Sequence, residues 1–341
     1  MTAEKMAAHL WDLPEQFAAM LEQGIDLPAE YERKYSNVVI AGLGGSAIGG
    51  DILRTYALTR ARIPVLVNRD YDMPEFVNEE SLVLAVSYSG NTEETLSAYG
   101  QAVQQGAAVI AVTGGGQLKA RAESDGMAVI TVPEGLPPRA ATGYLFTPLA
   151  LIMDKLGIIS GVIEDLQETD QVLRVVRSSI HPGVEEDNEA RRIAHELKGN
   201  LPIIWGSTAN SEIAALRWKT QINENAKCPV FCNVFPELNH NEIVGFEVPE
   251  NLLANMVIVI LRDSHDHSSV QKRMEISKGI VADRVKNIIE VKARGSSFLA
   301  RFYSLAYIGD YTSFYLALEY GINPTPVAVI DFLKAELARK K

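Results

Sequence analysis

Short apolar segments of strand length alternate with helical patterns along most of this 341-residue chain. A strand that is apolar on both faces is typical of a sheet covered by helices, and helical crossovers between such strands make the sheet parallel. The alternation therefore predicts an α/β fold with a doubly wound parallel sheet. The first series of segments is Val38-Val-Ile-Ala41, Pro64-Val-Leu-Val67, Leu82-Val-Leu-Ala-Val86, Ala108-Val-Ile-Ala-Val112 and Met127-Ala-Val-Ile-Thr-Val132.

A second series begins at residue 201, after a charged stretch with helical periodicity. Its segments are Leu201-Pro-Ile-Ile-Trp205, Pro229-Val-Phe231, Met256-Val-Ile-Val-Ile-Leu261 and Asn287-Ile-Ile-Glu-Val291. In both series the first strand leads into a Gly/Ser turn and a helix, so we infer two similar domains. The predicted organisation is an N-terminal helical segment (1–35), a first domain (36–160), a helical connector (161–200) and a second domain with C-terminal helices (201–341).

Charge and hydropathy argue against several classes of partner. The 43 acidic and 32 basic residues give a net charge of −11, spread along the chain, which disfavours binding to a nucleic-acid backbone. The longest apolar stretches are far shorter than the ~20 residues that cross a bilayer. The N-terminal residues include acidic ones where a secretory signal has basic and then apolar residues. The sequence predicts a cytoplasmic protein that binds neither nucleic acid nor membrane.

The residues that could bind a metal ion are few. Cys228 and Cys232 are the two cysteines of the chain, which is too few for a disulfide framework or a four-cysteine zinc site, so we expect reduced thiols. The segment Asp263-Ser-His-Asp-His267 contains two histidines and two carboxylates. We interpret it as a solvated loop, because no distant third ligand is evident, and we expect no metal.

A glycine-rich turn follows the first predicted strand. The sequence Gly42-Leu-Gly-Gly-Ser46 precedes a helix, and backbone amides at such a helix start can approach an anion closely. The pattern Gly42-x-Gly44-x-x-Ala47 also fits the dinucleotide fingerprint, with Asp70 after the second strand. An NAD-dependent dehydrogenase therefore remains an alternative, beside a tight turn without a ligand.

A second polar turn, Ser87-Tyr-Ser-Gly-Asn-Thr-Glu-Glu94, follows the third predicted strand. Asn91 and Glu94 fit a capping box, which would explain part of this sequence by helix initiation alone. Capping does not require three hydroxyl groups. Ser87, Ser89 and Thr92, together with Ser46 of the first turn, would supply neutral donors suited to a phosphate monoester.

Five motifs in order give the chain a family resemblance. Gly-Gly-Ser46 followed by Ser87-Tyr-Ser-Gly-Asn-Thr92 resembles the sugar isomerase domain of the phosphoglucose isomerase superfamily. Pro137-Pro-Arg-Ala140, Gln221-Ile-Asn-Glu-Asn-Ala226 and Glu237-Leu-Asn-His-Asn-Glu242 resemble the bifunctional phosphoglucose/phosphomannose isomerases. The resemblance implies two sugar isomerase domains, no cofactor, and interconversion of glucose 6-phosphate and mannose 6-phosphate with fructose 6-phosphate through an enediolate.

The resemblance also implies roles for particular residues. Glu224, near the end of a helical stretch, would be the proton-transfer base, and His240 would open the sugar ring from the neighbouring subunit of a homodimer. Arg139 would stabilise the enediolate oxygen, and Lys334 matches a lysine that enters the site. The residues that would bind phosphate are Gly45, Ser46, Ser87, Ser89 and Thr92.

Some assignments keep an alternative. Thr325 is either a sugar contact or the N-cap of a helix that begins near Pro326. Arg139 could be a surface arginine, His240 a loop histidine, and Glu224 a solvated carboxylate at a helix end. For the whole chain, a non-catalytic sugar-phosphate-binding regulator remains an alternative to the isomerase, as does the dehydrogenase.

Overall fold

The computed structural model describes residues 3–339, so residues 1–2 and 340–341 of the predicted terminal segments lie outside the described residues. Through residue 180 helices and strands alternate as the apolar pattern predicts. The elements are α1 (Ala3–Trp11), α2 (Leu13–Gln23), β1 (Asn37–Ala41), α3 (Gly44–Ala57), β2 (Val65–Asn68), β3 (Ser81–Ser87), α4 (Glu93–Gln104), β4 (Ala108–Thr113), α5 (Gly116–Ser124), β5 (Ala128–Thr131), α6 (Thr142–Lys155) and α7 (Val162–Ile180).

The remaining part of the chain repeats this alternation. Its elements are α8 (Glu189–Leu197), β6 (Leu201–Ser207), α9 (Glu212–Gln221), β7 (Phe231–Phe235), α10 (Glu250–Leu253), β8 (Met256–Arg262), α11 (Ser268–Val281), β9 (Asn287–Lys292), α12 (Phe298–Glu319) and α13 (Ala328–Arg339). None of the helices within residues 3–339 has the length and apolar character to cross a membrane.

The chain divides into two compact units. The first unit comprises residues 12–174 and 294–303, and it contains a five-stranded parallel sheet with the order β2-β1-β3-β4-β5. Every residue of β1 and β3 is buried, as expected for strands with helices on both faces. This order places the topological switch point between β1 and β3, where doubly wound sheets bind ligands.

The second unit comprises residues 3–11, 175–293 and 304–339. Its four parallel strands have the order β7-β6-β8-β9, which repeats the order of the first four strands of the other sheet. The core on one face of the sheet is built around Trp205. Its ring packs edge-on against the rings of Phe235 and Phe246, with a distance of 5.6 Å between ring centroids in each case. The prediction of two similar α/β domains is confirmed.

One strand lies later in the chain than the sequence predicts. A strand is expected at residues 229–231, whereas β7 begins at Phe231, which pairs with Ile203 of β6. Pro229 has no N–H group to donate, so the segment before Phe231 is a poor strand. Cys228 and Cys232 are free thiols, as expected.

A buried ion pair joins α9 to α12 within the second unit. Arg217 donates from Nε and Nη2 to the two carboxylate oxygens of Asp310 at 3.0 and 2.8 Å, and both side chains are at most 2% exposed. Burial is the larger of two opposing effects and raises the pKa of Asp310, while the charge of Arg217 partly offsets it. Removing one partner would leave an uncompensated buried charge.

Replacing Asp310 with alanine is expected to lower the free energy of unfolding by about 3–5 kcal/mol for that reason. Urea unfolding followed by circular dichroism measures the change. The double variant Arg217→Met/Asp310→Leu should recover most of the loss, because both charges are then absent. Thr312→Val is a control in α12, where the threonine hydroxyl donates to Ile308 of the same helix at 2.8 Å. A double variant as unstable as Asp310→Ala would contradict this account.

Candidate active site

The turns after β1 and β3 lie side by side in the first unit, because these strands are neighbours in the sheet. Ser46 lies in the first turn of α3 and is 5% exposed. Its Oγ lies 3.4 Å from the backbone amide of Tyr88, which donates to it from the other turn. The start of a helix favours a negative charge. The two turns therefore present hydroxyl groups where an anion is stabilised.

The hydroxyl groups of Ser87 and Thr92 form a hydrogen bond of 2.9 Å. Thr92 is the N-cap residue of α4, yet its side chain makes no capping bond. The predicted capping box of Asn91 and Glu94 is wrong, because the Asn91 side chain bonds elsewhere. Its amide donates to the Ser89 carbonyl oxygen at 2.9 Å, and its Oδ1 accepts from the Gln117 backbone amide at 3.2 Å. Helix initiation does not explain the Ser87–Thr92 pair.

The loop that carries Arg139 packs against the glycine-rich turn. A Cβ atom at Gly45 would lie 2.9 Å from the carbonyl oxygen of Pro138, so glycine is needed for this approach. Arg139 is the next residue and is 7% exposed; the surface-arginine alternative is therefore wrong. The first unit thus brings Arg139 and the four predicted hydroxyl residues onto adjoining loops.

Glu224 lies in the second unit, on a single π-helical turn (Ile222–Ala226) that directly follows α9. Such turns occur frequently at functional sites. The next residue, Asn225, is fully buried and donates to Ser313 Oγ at 2.9 Å and to Gln221 Oε1 at 3.2 Å. These bonds hold the turn in place through its buried residue Asn225, while the neighbouring Glu224 is half-buried.

Lys227 is a residue of the site that the sequence analysis does not single out. It ends the π turn with φ +55°, and its Nζ lies 2.7 Å from the Glu224 carbonyl oxygen and 3.2 Å from that of Pro324. A lysine just after a helix commonly bonds the last carbonyl groups, and this was the available signal. Lys227 ties the Glu224 turn to the segment before α13.

A cavity of about 730 Å³ adjoins the π turn within the second unit. Its volume is in the range of small-molecule sites. Burial raises the pKa of the Cys228 thiol, which disfavours the reactive thiolate form. The wall includes Asn223, Glu224, Lys227, Cys228, Ile322 and residues 326–330.

Three other predicted residues of the second unit lie outside the wall of this cavity as the described residues define it. Thr325 is buried, and because α13 begins at Ala328 it does not hold the N-cap position. Lys334 is exposed on α13, and His240 is exposed at the end of a short 3₁₀ turn, Glu237–His240.

Glu242 anchors the segment that carries His240. Its carboxylate accepts from Trp205 Nε1 and from Asn233 Nδ2, both at 2.7 Å, so the segment is fixed to β6 and β7. Beside it, Val244 and Val248 are 67% and 75% exposed. His240 is thus presented on a fixed surface with exposed apolar side chains.

The solvated-loop interpretation of residues 263–267 is wrong for its two aspartates, which are each 5% exposed. The Asp266 carboxylate bonds Ser207 and Asn210, and His267 caps α11 by accepting from the Ser269 amide at 3.1 Å. Within residues 3–339, no group of three or more His, Cys, Asp or Glu side chains is arranged to hold a metal ion.

Comparison with known proteins places this geometry in a family. Residues 33–144 match the SIS domain family, and residues 186–337 match the bacterial phospho-glucose isomerase C-terminal SIS domain. The bifunctional phosphoglucose/phosphomannose isomerase of Caldicellulosiruptor bescii is 48% identical over 98% of this chain and 100% of its own. The D-glucosamine-6-phosphate 4-epimerase of Sulfolobus acidocaldarius is 32% identical over 67% of this chain and 70% of its own.

The fold is similar to that of a solved structure. The tagatose-6-phosphate ketose/aldose isomerase of Escherichia coli superposes with a TM-score of 0.66 at 16% identity, covering 93% of each chain. With 48% identity over nearly its full length to a named member, this chain belongs to the family of the bifunctional phosphoglucose/phosphomannose isomerases.

Proposed function

We propose that this protein is an aldose-ketose isomerase that interconverts glucose 6-phosphate and mannose 6-phosphate with fructose 6-phosphate. The proposal rests on one observation above others. A carboxylate, Glu224, is held on a fixed turn in a cavity wall, and the same chain carries a bonded pair of neutral hydroxyls, Ser87 and Thr92, at a helix start. Proton transfer and phosphate binding require these two elements.

The phosphate group is assigned to the first unit. Hydroxyl groups of Ser46, Ser87, Ser89 and Thr92 donate to its oxygens, and the starts of α3 and α4 add the favourable end of the helix dipole. Gly45 lets the backbone approach. Neutral donors suffice because each bond to a charged acceptor is stronger than one between neutral groups.

The isomerisation moves one proton between two carbon atoms. Glu224 removes the proton from C2 of the open-chain aldose, the electron pair forms the C1–C2 double bond, and the carbonyl π electrons move to O1. Glu224 then returns the proton to C1, while the proton of O2 passes to O1, so that O1 becomes a hydroxyl group and O2 the ketose carbonyl oxygen. Arg139 stabilises the enediolate charge, His240 transfers the proton needed to open the ring, and Lys334 assists near the sugar.

The proposal includes a homodimer in which His240 is donated to the partner subunit. In its support, His240 is exposed beside Val244 and Val248, and α13 exposes Val329 and Phe332 at 82% and 66%. Apolar side chains exposed together are typical of interaction surfaces. The net charge of −11 argues against nucleic acid as a partner, and the free thiols fit the reducing cytoplasm.

Coupled assays with glucose 6-phosphate and with mannose 6-phosphate test the function, with glucosamine 6-phosphate as the comparison substrate. We expect turnover of the first two and incorporation of solvent deuterium at C2 of the recovered aldose phosphate. A regulator would bind fructose 6-phosphate without any deuterium exchange. A dehydrogenase would instead produce NADH absorbance with NAD, and either result would overturn the proposal.

Replacing Thr92 with valine is expected to weaken binding of 5-phosphoarabinonate by about 10- to 100-fold, since a hydrogen bond to a charged group contributes roughly 1.5–3 kcal/mol. The melting temperature should fall only modestly, because the Thr92 side chain makes no capping bond and the lost hydrogen bond to Ser87 contributes about 1 kcal/mol. Calorimetric titration measures the affinity. Thr95→Val is the matched control, because Thr95 is buried one turn further along α4. Equal affinity losses in both variants would contradict phosphate binding by Thr92.

A further inference from the structure

The two sheets have corresponding strands, so their strand-end loops also correspond. In the first unit the order β2-β1-β3-β4 runs across the sheet, and in the second unit the order is β7-β6-β8-β9. The loop after β6 is therefore the counterpart of the glycine-rich turn after β1. The loop after β8, which contains residues 263–267, is the counterpart of the turn after β3.

In the second unit a carboxylate of the chain itself joins these two loops. Asp266, from the loop after β8, accepts hydrogen bonds from the Ser207 hydroxyl and from Asn210 Nδ2, the latter at 2.9 Å. Its other carboxylate oxygen accepts from the Asp263 backbone amide at 3.1 Å. Asp266 is 5% exposed and Ser207 is 2% exposed. The Ser207 hydroxyl, the Asn210 side-chain amide and the Asp263 backbone amide thus all donate to one buried carboxylate.

We propose that Asp266 is a built-in substitute for a phosphate group, which closes the second unit to anions. Its carboxylate takes up the donors that would otherwise bind phosphate oxygens, and its charge repels a second anion. The chain consequently holds one sugar phosphate, in the first unit, although the domain is duplicated. The inference rests on the proposed function only in assigning phosphate to the first unit.

Ser207 and the main chain of Asp266 are held in place by other bonds. Ser211 Oγ donates to the Leu261 carbonyl oxygen at 3.0 Å and accepts from the Ser207 backbone amide at 2.9 Å. Gln271 Nε2 donates to the main-chain oxygen of Asp266 at 2.8 Å. These bonds do not involve the Asp266 carboxylate. Removing the carboxylate therefore leaves converging donors that an added anion can satisfy.

The test replaces Asp266 with alanine in a chain whose first phosphate site is disabled by Ser87→Ala and Thr92→Val. The parent is the Ser87→Ala/Thr92→Val chain, and the triple variant adds Asp266→Ala to it. Relative to chloride at the same ionic strength, 20 mM inorganic phosphate should raise the melting temperature of the triple variant by about 3–6 °C more than that of the parent. Equilibrium dialysis with labelled phosphate should find one phosphate per chain in the triple variant and none in the parent.

Two controls separate anion replacement from loss of a buried side chain. Asp266→Asn keeps the shape and fills the space, so it should gain no phosphate site. Asp263→Ala removes an equally buried carboxylate of the same loop, one that accepts from the His265 amide at 2.7 Å. It should be destabilised without any specific response to phosphate. A phosphate response as large in Asp263→Ala as in Asp266→Ala would overturn the inference.

A folded Asp266→Ala chain that binds no phosphate would also overturn it. If that variant does not fold in chloride, the refolding yield is compared in phosphate and in chloride. A phosphate-dependent yield supports the inference, and equal yields overturn it. Isomerase activity is measured separately on a chain that carries Asp266→Ala as its single substitution. A failure of the proposed function therefore appears in the activity assay, and a failure of this inference appears in the phosphate-binding assay.

Discussion

Replacing Glu224 with glutamine is expected to lower kcat by about 10²- to 10⁴-fold, the contribution of a positioned general base. The amide has the shape of the carboxylate but cannot accept the C2 proton. The KM for fructose 6-phosphate should change little, because the phosphate is assigned to hydroxyl groups in the first unit. Steady-state kinetics with each sugar phosphate, together with deuterium exchange at C2, measures the effect.

The helix before Glu224 supplies a matched control. Glu212 is the first residue of α9, and Glu224 lies on the π turn that follows its last residue. Glu212→Gln makes the same chemical change at the far end of the helix, so turnover should stay within a few-fold of the wild type. A Glu224→Gln enzyme that keeps its turnover and its C2 exchange would remove Glu224 from the role of base.

The strands and the polar turns after them were predictable because their signals are local. A buried strand of a parallel sheet is an unbroken apolar run, and the hydroxyl residues proposed to bind phosphate lie at the end of β3 or within a few positions after β1 and β3. The duplication was visible for the same reason, since each sheet begins with an apolar run and a Gly/Ser turn. Local patterns therefore sufficed for the fold and for half of the candidate site.

The rest depends on contacts that are distant in the sequence. The Asn91 side chain does not form a capping box because its Oδ1 accepts from Gln117, which lies 26 residues away. Asn225 is held by Ser313, which lies 88 residues away. The burial of Arg139 follows from the approach of Pro138 to Gly45. No periodicity within one segment contains these partners, so the fixed turn that carries Glu224 and the bond from Lys227 to Pro324 emerge only from the structure.

The second prediction concerns the assembly of the active site from two subunits of the proposed homodimer. Glu224→Ala and His240→Ala enzymes, each inactive alone, are expected to regain about a quarter of wild-type activity when they are unfolded and refolded together. Random pairing makes half of the dimers mixed. In a two-fold dimer the same element is exchanged in both directions, so a mixed dimer has one site with both defects and one site with neither.

This recovery discriminates between the two possible origins of His240. If His240 served its own chain, every site in every dimer would lack either the base or the ring-opening group, and mixing would restore nothing. The matched control mixes Glu224→Ala with the double variant Glu224→Ala/His240→Ala, because no pairing of these chains yields a complete site. Mass spectrometry verifies that mixed dimers form. Mixed dimers without activity would place His240 in its own subunit's site or outside catalysis, whereas recovery in the first mixture alone requires His240 to act across the interface.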